Sequence, residues 1–303
     1  MNKKSIPLTV PKKQHKNYTE NFENITKKSG RLFLFAADQK IEHLNQDFYG
    51  ENLPAECNNP KHLFEIAQNA PIGAFATNLG LIAHYAADYK NINYIVKLNG
   101  KTNLVSTEQQ DPESNLLYTI DDIVSFKEET GLSISGVGYT LYIGSEFESD
   151  MLTQAAQVIL DAHHHGLLAI LWIYPRGKAI TNPTDANIVA GAAGVGAALG
   201  ADFVKIISPQ SEHISEQSEL LKQTTQAAGK TKVICAGGKK ENSAELLKRI
   251  YHNIHTGHTS GCAIGRNIFQ NNLENAIGLC KAIASIVIEN KNLEHAKNIL
   301  HKK

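Results

Sequence analysis

Eight short apolar runs, separated by segments of helical character, are what most constrains this chain. They lie at 31–37, 72–77, 93–99, 133–144, 167–174, 203–207, 232–236 and 261–265. Several, such as Leu167-Leu-Ala-Ile-Leu-Trp-Ile-Tyr174, are nearly continuous in apolar character. A strand with one wet face alternates apolar and polar residues. A continuous run belongs to a parallel sheet covered on both sides. Between the runs, residues 60–67, 79–88, 121–130, 151–165, 184–199, 212–228, 243–255 and 273–289 predict helices. Gly166, Gly200, Gly229 and Gly257 follow four of these, where a glycine commonly ends a helix.

Strands that alternate with helices in this way predict an α/β chain folded as one (β/α)8 TIM barrel. A doubly wound open sheet is the alternative. A length of 303 residues suits one large barrel or two smaller domains. No internal repeat and no low-complexity linker divides it. Residues 1–30 read as a polar N-terminal arm with one short helix, 31–290 as the barrel, and 291–303 as a basic tail. Both ends are expected to be solvated.

Charge and cysteine usage set the class of partner. The 30 basic and 30 acidic side chains balance, which gives no electrostatic case for nucleic acid or an anionic membrane. Cys57, Cys235, Cys262 and Cys280 are scattered, with no CxxC pair, as suits a reducing compartment. The lysine-rich first thirty residues carry no apolar stretch of signal-peptide type, and no run reaches transmembrane length. The expectation is a cytoplasmic protein.

Lys205 is the residue most in need of a reason. It lies in Gly200-Ala-Asp-Phe-Val-Lys205, an apolar strand, where an ammonium is costly to desolvate. Burial lowers a lysine pKa, and the neutral amine can attack a ketone to form a Schiff base. A carboxylate partner, or an amine reaching out at the strand end, is the structural alternative. In a barrel, functional groups gather at the C-terminal strand ends. Asp38 ends the first strand. Trp172 and Tyr174 share one face of the fifth, since residues i and i+2 point the same way. Beside a buried lysine, the Tyr174 phenol is a candidate acid and base.

Gly237-Gly238 and Gly265-Arg266 end the last two strands. Glycine lets backbone amides approach an anion closely, and arginine adds a charge-assisted bond, so these positions suggest a phosphate site. Lys97 is a second lysine in a strand, and its partner is open between Asp38 and the neighbours of Lys205. His163-His164-His165 and Glu42-His43 look like metal motifs. Consecutive helix residues diverge by about 100°, and no partners lie at ligand spacing, so no metal is expected.

Five segments together resemble a known family. They are Ala37-Asp-Gln-Lys-Ile-Glu-His43, Val137-Gly-Tyr-Thr-Leu-Tyr-Ile-Gly-Ser145, Trp172-Ile-Tyr-Pro-Arg-Gly177, Gly200-Ala-Asp-Phe-Val-Lys205 and Gly265-Arg-Asn-Ile-Phe-Gln270. In this order they are similar to the archaeal-type class I fructose-bisphosphate aldolases, over about residues 31–290. The resemblance implies reversible cleavage of fructose 1,6-bisphosphate to dihydroxyacetone phosphate and glyceraldehyde 3-phosphate. It implies Lys205 as the Schiff-base lysine, Tyr174 as acid and base, and Trp172 and Asp38 as active-site residues. It implies Gly237, Gly238, Gly265 and Arg266 as phosphate ligands. It also implies no cofactor or metal, and homo-oligomers that are often decamers. Two positions depart from the family pattern. Asp38-Gln39-Lys40 stands where members often have Asp-x-Gly, and Ala236 stands where members often have serine. A related Schiff-base aldolase or transaldolase-like enzyme, a phosphate-binding isomerase or synthase without covalent catalysis, and a sugar-phosphate sensor are the competing readings.

Overall fold

A computed structural model describes residues 6–42, 45–104 and 111–301. Eight parallel strands close on themselves in chain order. They are β1 (Leu32–Ala36), β2 (Ala74–Asn78), β3 (Tyr94–Lys97), β4 (Ile134–Ile143), β5 (Leu168–Pro175), β6 (Phe203–Ile206), β7 (Lys232–Ala236) and β8 (Gly261–Ile264). Each pairs with the next, and β8 returns to β1 with Leu34 opposite Ala263. The expected (β/α)8 barrel is therefore the fold.

The helices, in chain order, begin with α1 (His15–Thr26), α2 (Gln39–Glu42), α3 (Lys61–Asn69), α4 (Leu79–Tyr85), α5 (Ile120–Thr130) and α6 (Glu148–His164). They continue with α7 (Ala186–Leu199), α8 (Ile214–Ala228), α9 (Ser243–His255), α10 (Arg266–Phe269), α11 (Leu273–Val287) and α12 (Leu293–His301). Local chemistry sets their ends. Thr119 and Asp122 form a reciprocal capping box at the start of α5. Gly166 (φ +70°) follows α6, and Leu167 N–H bonds back to the Ala162 carbonyl.

Strand parity separates two cores. Phe33, Phe35, Phe75, Val204 and Ile206 face outward against the helices. Leu32, Leu34, Ile95, Leu168, Ile170, Trp172, Phe203 and Ile234 fill the barrel interior. Continuous apolar strands are the consequence of serving both layers at once.

Both chain ends differ from the solvated segments expected. Tyr18, Phe22 and Ile25 of α1 are buried and join the interior cluster at the N-terminal ends of the strands. The Phe22 ring stacks on Phe203 at 5.8 Å between centroids. The spacing of residues 18, 22 and 25 is that of one helix face, so α1 closes the barrel floor although its outer face is charged. At the other end, α12 buries Ala296 and packs its Leu293, Ile299 and Leu300 onto the outer core.

The triple-histidine run has a structural explanation. His163 is fully buried, with Thr9 Oγ1 2.6 Å from Nδ1 and Asp202 Oδ2 3.2 Å from Nε2. The same carboxylate accepts from Tyr18 Oη–H and from the Ala169 amide. These bonds tie α1 to α6 and β6. His165 lies 3.7 Å from Asp121 instead. Among the described residues, no three His, Cys, Asp or Glu groups lie close enough to share an ion. His43 lies outside the described residues.

Candidate active site at the C-terminal end of the barrel

Phe203 and Lys205 share the inner face of β6. Trp172 is the register partner of Lys205 on β5, and Ile234 its partner on β7. Lys205 is 5% exposed, and its amine lies 5.0 Å from the Trp172 ring centroid and 6.0 Å from that of Tyr174. No hydrogen bond or ion pair joins it to another described residue. Burial lowers its pKa, and Arg266 pushes the same way. Asp38 and Glu42 oppose them without reversing the direction. The carboxylate-paired alternative for this lysine is absent from the described residues. What remains is a sheltered amine facing a cavity, with aromatic walls that do not compete for its lone pair.

Trp172 fixes one wall. It is 1% exposed, and its Nε1 has no hydrogen-bond partner among the described residues. Gly138 on β4 makes room for it, because a Cβ there would stand 2.3 Å from Trp172 Cζ3. Tyr174 is half-buried one step further up β5, beside Tyr142 at 6.5 Å between centroids. Desolvation, then Asp38 and Glu42, raises its pKa well above the usual tyrosine value. The phenol is therefore protonated throughout the neutral range.

Asp38 is 2% exposed at the end of β1. Glu42 follows it one helical turn later. Glu42 is ion-paired: its Oε1 lies 3.2 Å from Lys97 Nζ, and the Lys97 side chain is wholly buried. Lys97 also donates to the carbonyl and side-chain oxygens of Asn99 at 2.8 and 2.9 Å. The Asn99 amide in turn donates to the carbonyls of Ser114 and Thr140. The partner of Lys97 was thus Glu42, a residue whose place on α2 the sequence did not reveal. Parity with Lys97 was the one available signal for Asn99.

A cavity of about 490 Å³ opens beside Lys205. Tyr174, Gly237, Gly238, Gly265 and Arg266 line it, so these expected site residues converge on one space. Gly238 adopts φ +73°, a conformation that favours glycine. The Gly237 N–H already donates to the Ala263 carbonyl at 2.9 Å, so Gly237 offers space and not a donor. Arg266 Nη1 lies 3.7 Å from Asp47. Sequence reasoning gave no role to Asn267, which is 2% exposed. Its side-chain amide donates to the carbonyls of Gly237 and Lys239 at 3.1 and 3.0 Å, and its Oδ1 accepts from the Glu241 amide. It clamps the loop after β7 to the start of α10. Two glycine loops and an arginine make a cradle suited to an anion.

A barrel whose sheltered, unpaired lysine stands next to an anion cradle is the architecture of the lysine-dependent aldolases. The chain belongs to the DeoC/LacD aldolase family, whose model matches residues 32–271. It is 50% identical over 296 residues to a fructose-bisphosphate aldolase/6-deoxy-5-ketofructose 1-phosphate synthase of Methanocaldococcus jannaschii, covering 98% of this chain and 94% of that one. Its structure is similar to that of a fructose-bisphosphate aldolase from Slackia heliotrinireducens. There the TM-score is 0.95 and the identity 43%, over 98% of this chain and 93% of the other. An archaeal fructose-1,6-bisphosphate aldolase whose catalytic lysine is covalently bound to the carbinolamine intermediate also matches. Its TM-score is 0.76 and its identity 29%, over 89% of this chain and 99% of that one.

Proposed function

We propose that this protein is a class I fructose-bisphosphate aldolase in which Lys205 forms the Schiff base. The observation that carries this reading is the unpaired, sheltered Lys205 amine beside the Gly238, Gly265 and Arg266 cradle. Neutral Lys205 attacks C2 of the ketose. Loss of water from the carbinolamine gives an iminium. As the C4 hydroxyl loses its proton, the C3–C4 bond breaks, its electron pair enters the enamine, and the aldehyde departs. A proton at C3 and hydrolysis of the iminium release the ketose phosphate and restore the amine.

Tyr174 handles the C4 proton in this scheme. Its raised pKa keeps the phenol protonated, so a proton is in place for the C4 alkoxide as the bond forms in the condensation direction. In cleavage it accepts that proton only as the bond breaks. Asp38 and Trp172 lie behind the cavity lining, Trp172 against Lys205 and Asp38 acting on Lys205 and Tyr174 through its charge, and Gly237, Gly238, Gly265 and Arg266 seat the phosphate. The reading includes a metal-independent reaction, a sugar-phosphate substrate, a cytoplasmic setting and association with copies of itself. It is tested by following aldehyde release from fructose 1,6-bisphosphate in the presence of a chelator. Sustained cleavage supports it, and metal-dependent loss contradicts it.

The name of the M. jannaschii relative favours a second substrate. A 6-deoxy-5-keto product follows from the same enamine if the acceptor is a three-carbon 2-oxoaldehyde ending in a methyl group. Only the C4–C6 half of the product changes, and the roles of Lys205 and the cradle stay the same. Supplying such an aldehyde with fructose 1,6-bisphosphate and identifying the ketose 1-phosphate formed tests this directly.

A further inference from the structure

We propose that Gln39 is a substrate-binding residue, whose side-chain amide donates a hydrogen bond to the phosphate of the ketose held at Lys205. The inference rests on the aldolase reading and adds to it a phosphate ligand from the end of β1.

Gln39 opens α2 directly after Asp38 and lines the same cavity as Lys205, Gly265 and Arg266. It is 9% exposed, yet its Oε1 is buried without a hydrogen-bond partner, and no bond joins either amide atom to another described residue. The Nε2 donor has no acceptor among the described residues, and a phosphate oxygen supplies one; the buried Oε1 is an acceptor that an anion does not complete. The amide lies against the cradle: a Cβ on Gly265 would stand 2.5 Å from Gln39 Nε2 and 2.6 Å from the Ala36 carbonyl. The Ala36 carbonyl requires glycine at 265, and the absence of a Cβ there leaves the space that the Gln39 amide occupies.

The surrounding groups leave the role open for it. Ala36, Ala236 and Ala263 also line the cavity and bring no polar side chain. Lys240 donates to the Gln270 carbonyl, and Arg249 to Glu241 and the Gly237 carbonyl. The Gly237 amide is held by the sheet. Arg176, Ser208 and Lys239 also line the cavity. Of its lining side chains, the Gln39 amide is the one that lies against Gly265, so an anion seated at Gly265 meets it beside Arg266.

The test compares the full-length protein with Gln39→Met, which keeps length and removes the donor, and Gln39→Glu, which sets a carboxylate against the phosphate. Calorimetry with inorganic phosphate and steady-state cleavage of fructose 1,6-bisphosphate are the readouts. In Gln39→Met the phosphate Kd and the KM rise roughly tenfold, as for loss of one hydrogen bond to a charged group, while kcat falls much less. Gln39→Glu weakens phosphate further. Phosphate binding within about twofold of the parent protein in either folded variant overturns the assignment. Phosphate affinity is read without turnover, so a failure of the aldolase reading appears separately, as absent cleavage in the unsubstituted protein.

Discussion

Lys205 and Trp172 are register partners on adjacent strands, with the amine 5.0 Å from the indole centroid. The pairing gives the lysine a wall that excludes water and offers no acceptor. A nucleophilic amine needs both conditions, and a lysine kept for stability would have neither. Lys205→Met should therefore lower cleavage by at least ~10³-fold, as loss of a covalent nucleophile does. Its far-ultraviolet circular dichroism should be unchanged.

The same burial has a signature in stability. Lys205 is held below the ordinary lysine value of 10.5. Between the lowered value and 10.5, the unfolded chain binds more protons than the folded one, so raising pH through that window stabilises the fold. Below the window, the folded protein carries the cost of an unpaired buried ammonium. Lys205→Met should thus be at least as stable as the parent at neutral pH, and its advantage should shrink as pH rises toward 10.5. Urea midpoints measured across pH report this. A mutant advantage that grows with pH would show the opposite shift.

Tyr174→Phe separates proton transfer from adduct formation. Losing the phenol should slow turnover by ~10²–10⁴-fold, while Lys205 still reacts with dihydroxyacetone phosphate. Because the Tyr174 pKa is raised, no activity limb from its ionisation should appear in the neutral range. Rapid-quench kinetics and a pH–rate profile give the two readings.

Gly138 and Trp172 should be energetically coupled, since a Cβ at Gly138 would stand 2.3 Å from the ring. Gly138→Ala should displace the indole and lower kcat. Its effect should largely vanish in a Trp172→Leu background, leaving a coupling of ~0.5–3 kcal/mol in a double-mutant cycle. Simple additivity would mean that the wall adapts without moving the ring.

Glu42 and Lys97 form a pair that should tolerate joint removal better than single removal. Glu42→Ala leaves a wholly buried ammonium with only the Asn99 oxygens, and should cost ~3–5 kcal/mol in denaturant unfolding. Glu42→Leu with Lys97→Met should recover much of that loss.

These sites were not equally legible in the sequence. The strands were readable because each must be apolar toward both lumen and helices, as Phe35 and Leu34 of β1 illustrate. Lys205 was readable because a charge in such a strand demands a cause. The Glu42–Lys97 pair was not, because its partners lie 55 residues apart and no local pattern joins a short helix to a distant strand. The engagement of the Gly237 amide was hidden for a similar reason: whether an N–H is free depends on the neighbouring strand. The floor formed by α1 was obscured by its charged outer face, although Tyr18, Phe22 and Ile25 carry a helical spacing.

Borohydride trapping reads the bond between Lys205 and the ketose carbon itself. The protein is incubated with dihydroxyacetone phosphate, reduced, weighed intact and mapped by peptide mass. One adduct per chain is expected, on the peptide containing Lys205, and none in Lys205→Met. An unmodified mass while cleavage proceeds, or an adduct confined to another lysine, would contradict it.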